Sequence, residues 1–332
     1  MKKNTLLFII IFVIIGGIAV YFMLADRKTT LNVDAQDFAI KDTSEIHKIK
    51  LADKAGNVSV LERKSGVWML NNKFKAQKSL VKTLLETMRL VQVKNPVPLN
   101  ARDNVIKIMA TTAIKVDVYG AKDNLLKSYY IGGTTPDELG TFMLMENAAE
   151  PFVTHIPGFF GYLNSRYITK ERDWRSSEIY ALNPSDIKEI TVRYHMAPDA
   201  SFKLRVNGNN FFIMPFQGGQ AEQKLSELTA KQLLASYRNI TFEQFPDLSD
   251  QKRDSILSSR PLITVNVYAN NVQPPALTLY LKQADSRTKG VGPDNTDLDK
   301  FYGVVGEGSK EIVLVQSAVV AKILPSYQDL MK

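Results

Sequence analysis

The hydrophobic pattern of the chain begins with one uninterrupted apolar run. Residues 6–24 read LLFIIIFVIIGGIAVYFML and contain no charged side chain. A helix of about 20 such residues is long enough to cross the hydrocarbon core of a bilayer. Lys2 and Lys3 precede Leu6, whereas the mixed-charge tripeptide DRK follows Leu24 and Ala25. The pattern therefore predicts an N-terminal transmembrane helix with its amino terminus in the cytoplasm, because positive residues stay on that side.

We expect residues 1–28 to be an uncleaved membrane anchor, with residues 6–25 in contact with the lipid bilayer. The predicted location is the inner (cytoplasmic) membrane, crossed once, with the bulk of the chain outside the cytoplasm. A cleaved signal peptide is the alternative interpretation, because Gly17-Ile18-Ala19 offers a small-residue cleavage site. The apolar run continues beyond that site, which favours the anchor.

Two later segments share one pattern of apolar and polar positions. TSEIHKIKL (43–51) resembles PSDIKEITV (184–192). Each is followed by an alternating stretch around a turn, NVSVLERKSGVWML and SFKLRVNGNNFFIM, as in a β-hairpin. This alignment places Trp68 opposite Phe212. Because the separation between matched residues only increases along the chain, as loop insertions would produce, the pattern predicts an internal repeat.

Each copy continues with a helical pattern and another strand. One apolar helical face is formed by Leu80, Leu84, Leu85 and Met88, and another by Leu233, Leu234 and Tyr237. IKVDVY (114–119) then matches ITVNVY (263–268), and both alternate as half-buried strands do. We expect an α+β fold of mainly antiparallel sheet with packed helices. Its two tandem modules would cover residues 42–168 and 183–330, with a linker over 169–182 in which Trp174 fills the space between them.

The stretch THIPGFFGYLNSRY (154–167) is rich in aromatic residues and glycine. Against LVQSAVVAKILPSY (314–327), His155 stands opposite Val315, whereas the apolar positions persist at helical spacing. The comparison predicts a closing helix in each module, with architectural rather than catalytic side chains. The residues expected to be structural are Trp68, Phe212, Phe160, Tyr167 and Tyr327. A site present in the first copy alone is the alternative.

Charge and composition exclude several classes of function. The net charge is +8 and the pI about 9.3. The basic residues are scattered among acidic ones, however, and no nucleic-acid partner is expected. The chain has no cysteine, which excludes disulfides, thiolate metal sites and cysteine nucleophiles.

Motifs for chemistry are weak. GVVGEGSK (303–310) has Ser309 before Lys310, the reverse of a phosphate loop, and its flanks predict a hairpin. Ser79 with Lys82, and Ser185 with Lys188, match the short Ser-x-x-Lys pattern without the partner motifs of a serine hydrolase. The histidines His47, His155 and His195 are isolated from one another. We therefore predict no catalytic, cofactor-binding or metal-binding residue, and leave open whether the loop Asp294–Asp299 binds an ion.

The order of motifs resembles a known family. An N-terminal anchor is followed by FAIKDTSEIHKIKL, GVWMLN, PFVTHIPGFFGYLNSRY and WRSSEIYAL. These pieces resemble the membrane-anchored members of the domain of unknown function 4340 family, from Bacteroidetes-type bacteria, over nearly the whole chain. The resemblance carries over no site residue. It implies an accessory role in the envelope beside exporters of the ABC type.

The favoured hypothesis is a non-enzymatic, single-pass envelope protein. Its extracytoplasmic modules would bind a protein partner or a cargo within a membrane or envelope complex, without a cofactor. The alternative is an enzyme or a glycan-binding or other ligand-binding module with a site in the cleft between the modules. Polar groups converging around His155, Trp174 and the Gly290–Asp299 loop would favour that alternative.

Overall fold

The computed structural model describes residues 33–217, 221–270 and 273–332. The chain forms two compact units that divide between Ser176 and Ser177. The predicted anchor, with Lys2, Lys3, Leu6 and Leu24, lies outside the described residues. None of the helices within those three ranges is long and apolar enough to span a membrane.

The first unit is built on a nine-stranded sheet in which every paired strand is antiparallel. Its strand order is β4-β3-β2-β1-β6-β7-β8-β9-β5. The strands are β1 Lys48–Ala52, β2 Val58–Lys64, β3 Val67–Leu70, β4 Phe74–Lys75, β5 Gln92–Pro96, β6 Ile114–Tyr119, β7 Leu125–Thr134, β8 Thr141–Met145 and β9 Phe152–His155. The described helices are α1 Val33–Gln36, α2 Lys78–Leu90, α3 Leu99–Thr112 and α4 Glu171–Trp174.

The second unit contains an eight-stranded antiparallel sheet of order β14-β13-β12-β11-β16-β17-β18-β19, and a separate pair, β10 with β15. The strands are β10 Glu178–Tyr180, β11 Ile187–Tyr194, β12 Phe202–Asn207, β13 Asn210–Pro215, β14 Gln223–Lys224, β15 Ile240–Thr241, β16 Ile263–Ala269, β17 Leu277–Gln283, β18 Thr296–Val305 and β19 Ile312–Gln316. The helices are α5 Glu227–Ser236, α6 Asp250–Ser258, α7 Ser317–Val320 and α8 Tyr327–Leu330. The expected α+β fold dominated by antiparallel sheet is confirmed.

The two sheets have the same strand order over eight strands, and their registers correspond. Ile49 in β1 pairs with Leu61 and with Val118. Ile190 in β11 pairs with Leu204 and Val267 in the same way. These pairings align IKVDVY with ITVNVY as the sequence pattern predicts. That one unit is a duplicate of the other stays a prediction.

Both faces of the first sheet are covered, because its strands are apolar on both sides. Leu84 and Met88 of α2 pack on the face formed by residues such as Ile49 and Tyr129. Val105 and Met109 of α3 pack on the opposite face, among the alternate residues Tyr130, Phe142, Leu144 and Val153. The sheet is therefore a central layer between two helices.

The second unit repeats this layering. Leu233 and Leu234 of α5 pack on the face that includes Ile190 and Val267. Ile256 of α6 packs on the other face, against the alternate residues Tyr280, Tyr302, Val304, Ile312 and Leu314. The amphipathic patterns correctly indicate α2 and α5. The helices α3 and α6 escape a pattern-based prediction, since each buries only one or two side chains.

The predicted closing helix is wrong in the first unit. Phe152–His155 is a strand, and the residues after it form turns and one 3₁₀ helix, Asn164–Arg166. Gly158 and Gly161 have φ angles of 79° and 139°, which lie outside the right-handed helical region. In the second unit the aligned stretch begins as β19 and continues into the short helix α7 and the 3₁₀ helix Ala321–Ile323.

The predicted burial of Phe160 is also wrong, because its side chain is 87% exposed. Tyr167 is buried in the first core, where its ring meets Tyr129 edge-on, and Tyr327 is half-buried against the second core. Trp174 does not fill a space between modules. Its side chain is fully buried in the core of the first unit, and its Nε1 donates to the carbonyl of Ile168 at 2.7 Å.

Sheet register corrects two residue matches. Trp68 pairs with Arg63, two pairs along the hairpin from the Leu61–Leu70 pair. Phe211 pairs with Val206, and the pair corresponding to Leu61–Leu70 is Leu204–Ile213. Trp68 therefore corresponds to Phe211 rather than Phe212. A one-residue slip moves a side chain to the other face of a sheet, which is why Phe211 is buried and Phe212 only half-buried.

The same slip occurs in the last strand. Met143 pairs with Phe152, and its counterpart Gly303 pairs with Val313. Continuing along both strands places Thr154, not His155, at the position of Val315. Thr154 and Val315 are both fully buried, as equivalent core positions should be.

Candidate binding site

A groove with an apolar floor lies beside α2 in the first unit. It forms where the β2–β3 hairpin and the 3₁₀ helix Thr43–Glu45 approach α2, and it encloses about 570 Å³. Its lining residues are Thr43, Arg63, Gly66, Val67, Trp68, Ala76, Lys78, Val81, Lys82, Leu85, Glu86 and Arg89. We call it the first groove. The volume lies in the range of ligand-binding pockets in proteins.

The second unit has a groove in the corresponding place. It lies between α5, the β12–β13 hairpin and the 3₁₀ helix Pro184–Asp186, and encloses about 630 Å³. Its lining residues are Asn183, Pro184, Ser185, Lys188, Val206, Gly208, Asn209, Phe211, Lys231, Leu234, Ala235 and Arg238. We call it the second groove.

The two grooves use equivalent residues. Aligning the core leucines Leu84 and Leu233 superimposes VKTLLETMR (81–89) on AKQLLASYR (230–238). Lys82, Leu85 and Arg89 then correspond to Lys231, Leu234 and Arg238. Trp68 and Phe211, which the sheet register makes equivalent, supply an aromatic side chain to each floor.

Local structure explains how the first groove is held open. The guanidinium of Arg63 donates to the carbonyls of Ser44 and Thr43, at 3.2 and 3.3 Å, and lies 5.1 Å from the centre of the Trp68 ring. Arg63 thus joins the 3₁₀ helix to the hairpin and fixes the aromatic floor. Val206 takes its place in the second groove, so that floor is more apolar.

Both rims are cationic. In the first groove Lys82 lies 3.9 Å from Glu86, and both side chains are largely exposed. In the second groove Lys231 pairs with Glu227 one helical turn away, at 2.5 Å, and the lining residues include no carboxylate. Within the described ranges, no carboxylate lies within ion-pairing distance of Arg89, Arg238 or Lys188. The grooves therefore present positive charge next to apolar surface, which suits an acidic ligand with an apolar side chain.

A smaller polar cavity, of about 260 Å³, is lined by Asp297 and Asp299 from the Asp294–Asp299 loop, together with Lys282 and Asp285. The ammonium of Lys282, which is buried, lies 2.8 Å from a carboxylate oxygen of Asp297 and 2.8 Å from one of Asp285. Desolvation opposes the charge of Lys282, but these two hydrogen bonds prevail and raise its pKa. Lys300 in turn pairs with Glu243 at 2.8 Å. The network supplies its own cation, and its charges are satisfied internally.

None of the three histidines lines these cavities. His47 Nδ1 contacts the carbonyl of Glu45 at 2.9 Å, and His195 Nε2 contacts Thr264 Oγ1 at 3.0 Å. Burial lowers the pKa of His195, and the nearby Arg193 and Arg260 lower it further. His155 is the last residue of β9, opposite Gln92. Among the residues that the structure describes, no group of three or more His, Cys, Asp or Glu is arranged to hold a metal ion.

The serine–lysine pairs lie on unlike supports. Ser79 is in the first turn of α2, as expected, and Ser185 is in the 3₁₀ helix immediately before β11. The GVVGEGSK stretch joins β18 to β19, which confirms the hairpin interpretation. Trp174, being buried, cannot face a ligand. The apolar faces of the two helical segments do not by themselves indicate the grooves. The signal for them lies in the same nine residues of each segment, where lysine and arginine occupy identical positions.

The chain was compared with family models, with curated proteins and with solved structures, and none of the three comparisons gave a match. The resemblance to the domain of unknown function 4340 family therefore stays a prediction.

Proposed function

We propose that the chain is a non-enzymatic, single-pass envelope protein whose two units bind acidic segments of a protein partner in the first and second grooves. The proposal retains the N-terminal anchor over residues 6–25 and the origin of the two units by duplication. An accessory role beside an ABC-type exporter fits this arrangement.

The observation that carries the proposal is the recurrence of surface residues in both grooves. Core positions recur because packing demands it. Lys82 and Lys231, however, have largely exposed side chains, and Arg89 and Arg238 are exposed as well. Packing does not explain why a lysine and an arginine recur beside the same leucine. Recognition of the same kind of ligand by both units does.

The chemistry of the grooves favours an acidic, apolar peptide segment. An apolar side chain would lie over Trp68 and Leu85, or over Phe211 and Leu234, and exclude water there. Carboxylates beside it would meet the lysine and the arginine, whose guanidinium can bind a carboxylate with two parallel hydrogen bonds. Such complementary charges set specificity and association rate more than affinity.

The direct test places a photo-crosslinking amino acid at Glu86 and, separately, at Ala235 of the full-length protein in cells. Matched controls replace Ile108 in α3 and Asp254 in α6, which are exposed on helices on the opposite sheet faces. We expect crosslinks to a protein from the two groove positions and not from the controls, with mass spectrometry assigning the crosslinked segment to an acidic sequence.

Charge reversal then tests the recognition. Lys82→Glu with Arg89→Glu should abolish the crosslink at position 86, and Lys231→Glu with Arg238→Glu the crosslink at position 235. A crosslinked segment without acidic residues, or crosslinks that survive charge reversal, would refute the acidic-segment proposal. Crosslinks to a glycan or to a small metabolite would favour the ligand-binding alternative instead.

A further inference from the structure

The loop after β9 in the first unit exposes aromatic side chains to solvent. Phe160 is 87% exposed, and Phe159 and Tyr162 are 38% and 40% exposed. The flanking residues Ile156 and Leu163 are buried in the core of the first unit. We call residues 157–162 the aromatic loop. A phenylalanine this exposed is unfavourable in water unless another surface covers it.

The aromatic loop is held in shape rather than collapsed onto the sheet. At its end, the backbone N–H of Leu163 donates to the buried Oγ1 of Thr141 at 2.7 Å. Gly161 has a φ of 139°, and a Cβ there would lie 3.3 Å from the Phe159 ring, so this residue favours glycine. The Arg166 guanidinium lies 4.3 Å from the centre of the Phe159 ring and donates to Thr87 Oγ1 at 2.9 Å. The protein therefore presents Phe160 outward on a fixed turn, one residue after the Phe159 ring that Arg166 contacts.

The place where the described chain enters the first unit indicates what covers the loop. Only residues 25–32 separate the predicted transmembrane run from Val33, and such a connection can reach about 28 Å at most. Phe38, just after α1, touches Tyr129, which in turn touches Tyr167 beyond the loop, with ring centres 6.1 and 6.4 Å apart. The chain thus enters the first unit on the sheet face that bears the end of the aromatic loop.

We propose that the aromatic loop inserts Phe160 into the interface of the lipid bilayer, so that the first unit contacts the membrane at a second point besides the anchor. This inference rests on the anchor in the proposed function. Aromatic rings with a neighbouring cation suit the boundary between headgroups and acyl chains, where Arg166 would meet lipid phosphates. At the corresponding place in the second unit, after β19, the chain instead buries Val320 and Ile323.

The absence of cysteine from the sequence permits a direct test. Single cysteines replace Phe160, Leu125 or Ile15 in the full-length protein, and each is spin-labelled after reconstitution into phosphatidylethanolamine–phosphatidylglycerol vesicles. Leu125 is a matched control, exposed on the same unit at the start of β7. Ile15 lies in the middle of the predicted anchor and tests that prediction separately.

We expect collisions with oxygen to dominate over collisions with a water-soluble nickel complex at residue 160 and at residue 15, but not at residue 125. A label at residue 160 that stays in water overturns the proposal, whatever the label at residue 15 shows. A label at residue 15 that stays in water instead overturns the anchor. Dipolar broadening between labels at residue 160 would show that a second copy covers the loop, and would also overturn the proposal.

A second variant separates insertion from mere proximity. A label at the exposed Ser165 reports on the approach of the loop while leaving Phe160 in place. Adding Phe160→Ala should lower about tenfold the ratio of membrane-contacting to membrane-free first units. Burial of one phenylalanine side chain contributes at least that factor to the equilibrium constant. Since Phe160 is exposed, this variant should fold normally. An unchanged ratio would show that the ring does not insert.

Discussion

The two units keep the same sheet and differ in what they attach to its edges. Each has a groove beside its first long helix, with lysine, leucine and arginine at matching positions. They differ after the last strand, where the first unit has the exposed aromatic loop and the second has the buried turns of α7 and Ala321–Ile323. They differ again after the sixth shared strand. The turn between β7 and β8 of the first unit is short, whereas the loop between β17 and β18 of the second unit is long and is stabilised by Lys282 and Asp297.

The two units agree in their packed sheets and differ in the loops at the sheet edges. A sheet covered by helices on both faces constrains almost every strand residue, because each side chain is packed on one side or the other. Edge loops carry no such constraint, and binding residues are commonly found there. Shared features are therefore candidates for a shared role, whereas the aromatic loop and the Lys282 network are candidates for roles specific to one unit.

The largest expected effect tests the loop that distinguishes the second unit. Lys282→Met should destabilise that unit by roughly 3–5 kcal/mol, because Asp297 would be left buried without its cation. The matched control is Lys300→Met, which removes the partly exposed pair with Glu243 and should cost about 1 kcal/mol or less. Hydrogen exchange resolved by unit measures both. Equal losses for the two variants would mean that the Lys282 pair is not buried in solution.

The next effect tests whether the shared helices are truly equivalent. Leu84 and Leu233 are both buried on their sheets, at 0% and 4% exposure. Leu84→Ala and Leu233→Ala should each cost about 2–5 kcal/mol, each in its own unit, because each removes three buried carbons and leaves a cavity. Unfolding in urea, monitored by hydrogen exchange in each unit, would give the two losses in free energy of unfolding. A large loss for one leucine and almost none for the other would break the alignment on which the paired grooves depend.

The smallest expected effect concerns buried tyrosines, which both units possess. Burial raises the pKa of Tyr167 to about 12, and raises the pKa of Tyr129, Tyr180 and Tyr237 well above that of an exposed tyrosine. The folded protein thus holds these protons more tightly than the unfolded chain, whose tyrosines titrate near 10. The stability is complete below about pH 10 and is lost as the pH rises towards 12.

For Tyr167 this alkaline loss should amount to about 2 kcal/mol. The measurement is the free energy of unfolding in urea at several alkaline pH values, again resolved by unit. Tyr167→Phe should reduce the loss in the first unit, and Tyr237→Phe in the second. If neither substitution changes the alkaline loss of stability, that loss arises from other titrating groups.

The sequence predicted the sheet more reliably than its edges. Alternation located the two hairpins and the strands IKVDVY and ITVNVY, whose match agrees with the observed register. Residue matches were wrong by one position at Trp68 and again at His155, because the connections before β12 and before β19 are longer than their counterparts in the first unit and their apolar composition does not show it. Pairing in a sheet decides that register, and pairing is not visible in one sequence.

The closing helix shows a second limit. Phe159, Phe160 and Leu163 have helical spacing, but positive φ angles at Gly158 and Gly161 turn the chain, and the apolar face never forms. Periodicity alone favoured burial of Phe160, and only the backbone conformation shows the opposite. The binding grooves were not predicted from the sequence, for a different reason. Lys82 and Arg89 match their counterparts in sequence, but only the fold shows that each pair shares a surface with Trp68 or Phe211.

The margins of the two sheets bear on aggregation. One margin of each ends in a strand of two residues, Phe74–Lys75 or Gln223–Lys224. In the first unit the other margin is β5, which has a bulge between Val93 and Asn95 and ends at Pro96. In the second unit the other margin is covered by Glu243 and Gln244, which bond to Leu314 at 2.7 and 2.8 Å. Short, bulged or covered edges give an incoming strand little to pair with. Concentrated copies of the protein should therefore remain separate molecules instead of joining edge to edge into fibrils.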